Sequence, residues 1–330
     1  MTRPDHLTIY LSGRCNLSCP YCYARGVSAG AIQPAALRRA LAAFAAACPE
    51  DPKFTILGGE PLLERPLLRL ALSEIRRLFG AAAPVHLFTN GLLLKKGEVP
   101  ALLRRGVKLT VSFDGGRGPG AVAGLPRPLR GRVSAGYVVS PATAGRLLPD
   151  LLSLLEAGFD SLAWSPDITA SWGTAALERL RSSARALLLE YLRRLKLGRG
   201  IWELANGYEA VALADRGERP GHCRNLALAP DGFFYPCDKM LAAAPERLRP
   251  FRAGADGAGR EKFFALARSA GVGNSQSMCP AAPWAAARFA SRPRRTPAGQ
   301  AEARRAAAGW LAAAAKAGLS SPAFRRLHGI

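Results

Sequence analysis

The sequence predicts an α/β fold, a partial (β/α)6 TIM-type barrel followed by a small domain with a β-hairpin and helices. Short β-branched or aromatic runs alternate with longer Leu-, Ala- and Arg-rich stretches of helical period, at intervals of about 25–45 residues. Such alternation implies a parallel sheet with helices packed outside it. Six units make a partial barrel rather than a closed eight-stranded one. After residues 198–221 the alternation stops, and LALAPDGFFYPC predicts a hairpin about a Pro-Asp-Gly turn.

Each element follows from its local pattern. The predicted strands are Leu7–Leu11, Phe54–Leu57, His86–Thr89, Lys108–Phe113, Ala135–Val139 and Ser161–Trp164. The predicted helices are Pro34–Ala47, Pro66–Phe79, Val99–Arg105, Thr143–Ala157 and Thr174–Leu195, followed by two Ala-rich stretches between Ala298 and about Gly318. Gly115–Gly131 holds six Gly and three Pro, which predicts a long loop. We expect three domains, at residues 1–200 (the barrel), 201–285 (the hairpin and helices) and 286–330 (a basic helical tail).

The composition is that of a globular protein, with 49% hydrophobic and 21% charged residues. No apolar run reaches the roughly 18 residues that span a bilayer. The N-terminal residues lack the pattern of a signal peptide. We therefore expect a cytoplasmic protein with no membrane contact. Seven cysteines in such a chain favour metal binding or catalysis over disulfides.

The formal net charge is +22, which favours an acidic partner such as nucleic acid, an acidic peptide or an anionic small molecule. The Arg- and Ala-rich composition of a GC-rich genome explains the same charge, because most of it is spread along the chain. The local excess begins at Pro283, with nine Arg or Lys and one acid, Glu302. No base-stacking motif or RNA-binding domain is evident. An RNA-directed protein is therefore only the alternative from another functional class.

Three cysteines, Cys15, Cys19 and Cys22, follow the first predicted strand with CxxxCxxC spacing. Three thiolates at the carboxyl end of a barrel strand can bind three irons of a cubane and leave the fourth iron without a protein ligand. The amino and carboxylate groups of a methionine moiety can chelate that open iron. Zinc is the alternative, but a structural zinc site takes four ligands, usually from paired CxxC units, and this segment has no such pairing.

This spacing, with Tyr21 before the last cysteine, resembles the signature of the radical S-adenosylmethionine (SAM) superfamily. A second motif, formed by Gly58, Gly59, Glu60 and Pro61, follows the second strand. In the family this GGEP motif meets the methionine amino group of SAM, since glycines let the backbone come close and accept from an ammonium. Asn90, in TNG after the third strand, also agrees with the family pattern.

Three more positions are assigned to SAM by the resemblance. Ser112 and Asp114 end the fourth strand, where family members place polar groups near the SAM ribose or carboxylate. Val139, on the fifth strand with Tyr137, would pack near the adenine. Two other interpretations stay open. Ser112 and Asp114 alternatively cap an Asp-Gly turn, and Tyr137 and Val139 alternatively pack in the core.

The resemblance implies reductive cleavage of SAM by a 4Fe-4S cluster on Cys15, Cys19 and Cys22. One electron, from an external flavodoxin- or ferredoxin-type donor, yields methionine and a 5′-deoxyadenosyl radical. That radical abstracts hydrogen from an unreactive carbon of the substrate. The cofactors carry the chemistry, while the protein binds, orients and excludes water.

A second group, Cys223, Cys237 and Cys279, lies far from the first in sequence. The segment CRNLALAPDGFFYPCDK resembles the start of the auxiliary-cluster domains called SPASM and twitch, which implies one auxiliary iron–sulfur cluster. The further cysteines of a full SPASM domain are missing, so the fourth position is open or filled by Asp238 or His222. Alternatively these cysteines are only buried, as we expect for the isolated Cys48.

Family members with such a domain mostly modify peptides or proteins. The resemblance therefore implies a ribosomally made peptide substrate and an oxidoreductase-type crosslink, epimerisation or oxidation. The alternative is a small-molecule dehydrogenase or isomerase of natural-product biosynthesis. Because the first strand starts at Leu7, we expect a peptide leader to be held by a separate recognition protein or by the basic tail.

Overall fold

The computed structural model describes residues 3–28, 30–47, 51–95, 97–115, 133–159, 161–198, 202–204, 224–269, 288, 298–319 and 321–322. The chain forms two compact units. The first contains Met1–Leu109, His222–Asn274 and Cys279–Thr296. The second contains Thr110–Gly221, Ser275–Met278 and Pro297–Ile330.

The described strands and helices are numbered here in chain order. The strands are β1 (His6–Tyr10), β2 (Lys53–Leu57), β3 (Val85–Thr89), β4 (Val107–Phe113), β5 (Val133–Val139), β6 (Ser161–Pro166), β7 (Glu203–Leu204), β8 (Asn225–Leu228) and β9 (Phe234–Tyr235). The helices are α1 (Pro34–Ala47), α2 (Arg65–Phe79), α3 (Glu98–Arg104), α4 (Leu147–Glu156), α5 (Thr174–Leu197), α6 (Pro245–Leu248), α7 (Glu261–Ser269) and α8 (Gln300–Leu319). Short 3-10 turns lie at Pro61–Glu64, Ala144–Arg146, Asp238–Met240 and Arg249–Phe251.

The first unit is built on a mostly parallel sheet. Strand β1 pairs in parallel with β2 on one side and with β8 on the other, and β2 pairs in parallel with β3. Strand β9 is antiparallel to β8. Residues 7–10 of β1 are all buried, as expected for a parallel strand covered on both faces. The carboxyl ends of β1, β2 and β3 therefore lie along one edge of the sheet.

Helix α1 covers this sheet because its apolar residues recur at helical spacing. It buries Leu37, Ala40, Leu41 and Phe44. The Phe44 ring packs edge-on against Phe54 of β2, with centroids 6.0 Å apart.

The second unit has its own parallel pairing and its own helical cover. Strand β5 pairs with β6, and β6 pairs with the two-residue strand β7. Helix α8 packs on α5 and β6. Trp310 of α8 lies 5.9 Å from Trp164 of β6, measured between ring centroids. Helix α8, which lies in the predicted basic tail, thus packs within this unit.

The predicted fold class, six predicted strands, five predicted helices and hairpin are confirmed. The hairpin turns at Gly232, where a positive φ of 83° favours glycine. The expectation of two helical stretches in the tail was wrong for the described residues, where α8 is one helix. Its central Gly309 costs only about 1 kcal/mol relative to alanine, which Ala-rich flanks tolerate. Strand β7 was not predicted, since two residues carry no periodicity.

The predicted domain boundaries stay a prediction, and the compact units divide the chain differently. Strand β8, from the expected small domain, extends the first unit's sheet beside β1. Among the described helices, none is both long and apolar enough to span a bilayer.

Candidate functional site: the cysteine loop of the first unit

The loop that carries Cys15, Cys19 and Cys22 begins directly after β1. Local backbone hydrogen bonds shape it, since the Cys22 amide donates to the Cys19 carbonyl at 3.2 Å and the Arg25 amide donates to the Cys22 carbonyl at 3.3 Å. Cys15 and Cys22 are exposed and Cys19 is half-buried, and none of the three is in a disulfide. The thiols are therefore reachable from solvent.

The three thiols are close enough to affect one another electrostatically. Partial desolvation raises the pKa of Cys15 and of Cys22 above the ordinary thiol value, and the neighbouring cysteines raise it further. The thiols of Cys15 and Cys22 therefore keep their protons at neutral pH. Iron binding would displace these protons, because the thiolate is the metal ligand.

The donor set fits a cubane better than a single metal ion. Within the described ranges, no three His, Cys, Asp or Glu side chains converge on a point where one ion could be held. Structural zinc needs four ligands about 2.0–2.3 Å from one point. A cubane takes each thiolate on a different iron, so its three cysteines surround a volume instead. Three thiols in one loop are the donor set of a 4Fe-4S cluster that has one iron without a protein ligand, and the assignment of such a cluster to this loop stays a prediction.

The Gly58–Pro61 segment is bonded to the base of this loop. The Gly59 amide donates to the Ser12 carbonyl at 2.9 Å, and the Glu60 amide donates to the Arg14 carbonyl at 2.7 Å. A Cβ on Gly59 would lie 2.0 Å from the Arg14 carbonyl oxygen. Only glycine allows this approach, so the motif and the cysteine loop fit together at backbone level.

Replacing Gly59 with alanine is expected to displace Arg14 and to reduce the iron bound by the adjacent cysteines by more than half. The physical reason is the backbone overlap just described. Gly97→Ala is the matched control, because a Cβ there meets nothing within 4 Å. Iron and acid-labile sulfide per chain, measured after anaerobic reconstitution, check the prediction. Equal iron content in the two variants would refute it.

Glu60 is nearly fully buried and its carboxylate is occupied by the protein. Oε1 accepts from the Leu62 amide at 3.0 Å and from the Thr89 hydroxyl at 2.7 Å, while Oε2 accepts from the Asn90 amide at 2.8 Å. Burial raises the pKa of this carboxyl, and the three donors oppose that shift. Glu60 therefore ties the end of β2 to the end of β3, a role that the sequence did not indicate.

Asn90 extends this arrangement to the cysteine loop. Its Nδ2 donates to Asn16 Oδ1 at 2.8 Å and lies 4.0 Å from Cys15 Sγ. Its Oδ1 accepts from the Leu92 amide at 3.0 Å. The structure thus brings Asn90, the GGEP motif and the first cysteine together, as the order of the motifs suggested.

The hairpin segment contacts the same loop through a buried polar cluster. The Tyr23 hydroxyl, next to Cys22, donates to Asp238 Oδ2 at 3.1 Å and accepts from Lys239 Nζ at 3.1 Å. Lys239 also pairs with Asp238, and the Tyr10 hydroxyl donates to Tyr23 at 3.3 Å. Cys237 is buried immediately before Asp238. Both cysteine-bearing segments are therefore joined within the first unit.

The other predicted auxiliary residues, Cys223, Cys279 and His222, lie outside the described residues, as does Cys48. Asp238 was a candidate fourth ligand. Its Oδ2 is shared by Tyr23 and Lys239, which favours a structural role for that oxygen.

The structure gives the position and burial of the remaining residues that we predicted to bind SAM or the cluster. Tyr21 is half-buried in the cysteine loop. In the second unit, Ser112 and Asp114 are half-buried at the end of β4. Val139 is fully buried, and its carbonyl accepts from the Asp167 amide at 2.7 Å. Contacts of these residues with SAM remain a prediction.

The sequence patterns did not indicate five contributors, namely Asn16, Tyr23, Arg25, Thr89 and Lys239. Asn16, Tyr23 and Arg25 lie in the cysteine loop or just after it, and Thr89 is the first residue of TNG. Their proximity to the motifs was a usable signal. Lys239 lies two residues after Cys237, but its contact with Tyr23 carried no sequence signal, because the two residues are 216 positions apart.

Comparison with known proteins agrees with this geometry. Residues 9–123 match the family model described as the radical SAM superfamily. This range contains the three cysteines, the GGEP motif and Asn90.

Two curated relatives are both named GTP 3′,8-cyclase. The protein of Parasynechococcus marenigrum (strain WH8102) is 33% identical over 167 residues, which are 48% of this chain and 45% of that protein. The match thus spans less than half of that relative. The protein of Synechococcus sp. (strain WH7803) is 28% identical over 297 residues, or 74% of this chain and 83% of that protein.

Solved structures of low sequence identity share the fold. The anSMEcpe structure with bound AdoMet and Kp18Cys peptide has a TM-score of 0.68 at 15% identity, covering 94% of this chain and 99% of that one. Streptococcus suis SuiB bound to its precursor peptide SuiA has a TM-score of 0.53 at 17% identity, covering 73% of this chain and 61% of that one. The solved structures thus share the fold of this chain, and the domain at residues 9–123 belongs to the radical SAM superfamily, whose cofactors are a 4Fe-4S cluster and SAM.

Proposed function

We propose that this enzyme cleaves SAM reductively and uses the resulting radical to modify a ribosomally made peptide by crosslinking, epimerisation or oxidation. One observation supports this proposal above the others. The cysteine loop, the GGEP motif and the Cys237 segment are bonded to one another within a single compact unit. A chain with two adjacent cysteine-bearing segments suits a hydrogen abstraction that ends in net oxidation.

The predicted site residues divide into those that would hold the cluster and those that would bind SAM. Cys15, Cys19 and Cys22 would hold the catalytic cluster. The backbone of Gly58 and Gly59 would accept from the SAM ammonium, while Glu60 and Asn90 keep that backbone in place. When bound, the cluster and SAM supply a radical that abstracts hydrogen from an unreactive carbon. Ser112, Asp114 and Val139 would contact the rest of SAM, and Tyr21 would pack beside the cluster.

The second segment would hold one auxiliary iron–sulfur cluster through Cys223, Cys237 and Cys279. Cys237 is buried among apolar residues of the hairpin and its neighbours, including Tyr235 and Met240. Such burial limits solvent access, which is one of the levers on cluster potential. An external flavodoxin- or ferredoxin-type donor would supply the electron. A separate leader-recognition protein would present the peptide.

A second candidate substrate is a purine nucleoside triphosphate. The two curated relatives named GTP 3′,8-cyclase favour it, and an auxiliary cluster with three cysteines would leave one iron open to a substrate. This candidate belongs to the small-molecule class that the sequence also allowed.

Incubation of reduced, iron-loaded enzyme and SAM with each candidate separates the two. Peptides encoded by short reading frames beside the gene are tested in parallel with GTP. The peptide proposal predicts 5′-deoxyadenosine formation at least tenfold faster with one peptide, together with loss of two hydrogens or incorporation of solvent deuterium in that peptide. Acceleration by GTP alone, with peptides unchanged, would replace it with nucleotide cyclisation.

A further inference from the structure

Two arginines beside the cluster cysteines differ in their ion pairing. Arg14, before Cys15, is paired with the buried carboxylate of Glu64, with Nη2 and Oε1 2.7 Å apart. Arg25, three residues after Cys22, has no carboxylate partner within the described part of the chain. Its positive charge is therefore not compensated locally.

The Arg25 side chain folds back onto the loop. Its Nη2 donates to the Ser18 carbonyl at 2.7 Å and to the Cys19 carbonyl at 2.8 Å. The Cys19 carbonyl also accepts from the Cys22 amide at 3.2 Å. One guanidinium thus holds the stretch between the second and third cysteines. This exposed arginine therefore donates hydrogen bonds to the loop backbone, and within the described residues it forms no ion pair.

The guanidinium also places a positive charge beside the cluster loop. Because Arg25 Nη2 lies 2.8 Å from the carbonyl oxygen of Cys19, this charge lies against the backbone of a predicted cluster ligand. A cubane with three thiolates carries net negative charge, which grows by one on reduction. A nearby uncompensated cation therefore favours the reduced state.

We propose that Arg25 is a positioning residue for the catalytic cluster, which holds the Ser18 and Cys19 carbonyls and raises the cluster's reduction potential through its charge. This inference rests on the assignment of that cluster to Cys15, Cys19 and Cys22, and it is independent of the substrate. It assigns a role to a residue outside the sequence motifs.

The test is a potentiometric titration of the iron-loaded protein, followed by the electron paramagnetic resonance (EPR) signal of the reduced catalytic cluster. Arg25→Gln keeps a donor but removes the charge. At a fixed applied potential, we expect the ratio of reduced to oxidised cluster to fall about tenfold in this variant. This corresponds to a decrease in the cluster's reduction potential of about 59 mV for one electron. Arg25→Lys keeps the charge and should retain the wild-type potential. Arg69→Gln, an exposed arginine of α2, removes the same charge elsewhere and should change nothing.

An Arg25→Gln potential equal to that of wild type and Arg69→Gln would overturn the proposal, as would equal losses in Arg25→Gln and Arg25→Lys. If Arg25→Gln binds no cluster, the reduction potential of Arg25→Lys tests the proposal instead. A cluster of wild-type potential in the lysine variant supports the role, and an absent or shifted one refutes it. A wild-type protein without any cluster signal would instead overturn the assignment of the three cysteines.

Discussion

Replacing Cys15, Cys19 and Cys22 together with alanine is expected to abolish 5′-deoxyadenosine formation and to remove about four irons per chain. The three thiols are the proposed protein ligands of the cluster, and removing the thiolates leaves nothing to hold it. Their loop is closed by backbone hydrogen bonds and the substituted side chains are partly exposed. We therefore expect the variant to fold. Product analysis by chromatography and iron analysis after anaerobic reconstitution are the measurements.

The control for this variant is Cys237→Ala, which addresses the other segment. The wild-type protein should hold about seven to eight irons if both clusters form. Cys237→Ala should lose mainly auxiliary iron and retain SAM cleavage, whereas the triple variant should retain the auxiliary iron. The assignment would be wrong if the triple variant still made 5′-deoxyadenosine. A colourless wild-type protein after anaerobic purification would point to zinc or to structural cysteines instead.

Replacing Glu60 with alanine is expected to lower the free energy of unfolding by about 3–5 kcal/mol. The carboxylate accepts three hydrogen bonds in a site that is only 1% exposed. Alanine would leave the Leu62 amide, the Thr89 hydroxyl and the Asn90 amide without an acceptor, at about 1–3 kcal/mol for each buried group, with partial relief by water. Denaturant unfolding followed by circular dichroism measures the change.

Two further variants separate the carboxylate's hydrogen bonds from its charge. Glu60→Gln keeps the volume and one acceptor oxygen but turns an NH2 toward a donor, so a smaller loss of about 1–3 kcal/mol is expected. Burial raises the pKa of Glu60, so removal of its charge offsets part of this loss. Glu178→Ala, at an exposed position of α5, should stay within about 0.5 kcal/mol of wild type. Equal unfolding free energies for Glu60→Ala and Glu178→Ala would contradict the role of Glu60.

The repeated elements were predictable because periodicity and turn chemistry are local. The pattern around Phe44 predicted α1 with its observed ends, and the Pro-Asp-Gly turn predicted the hairpin at Gly232. The tail was only partly predictable. Its composition gave a helix, but an isolated Gly309 is too weak a signal to decide between one helix and two.

The candidate site was predictable as a set of residue types but not as a set of contacts. The motifs named Glu60, yet its partners Thr89 and Asn90 lie on another strand and depend on the sheet register. The contact of Tyr23 with Asp238 joins residues 215 positions apart, and it exists only because β8 pairs with β1. Sequence patterns carry no information on such pairings until the fold is known.

We expect the three cysteines of one loop to hold a cluster whose fourth iron is left for SAM. Electron–nuclear double resonance of the reduced protein, with SAM labelled at its amino nitrogen, tests it most directly. We expect a coupling between the labelled nitrogen and the cluster in the wild-type protein and in Cys237→Ala, and none in the triple cysteine variant. Bound SAM without such coupling in the wild-type protein would contradict it.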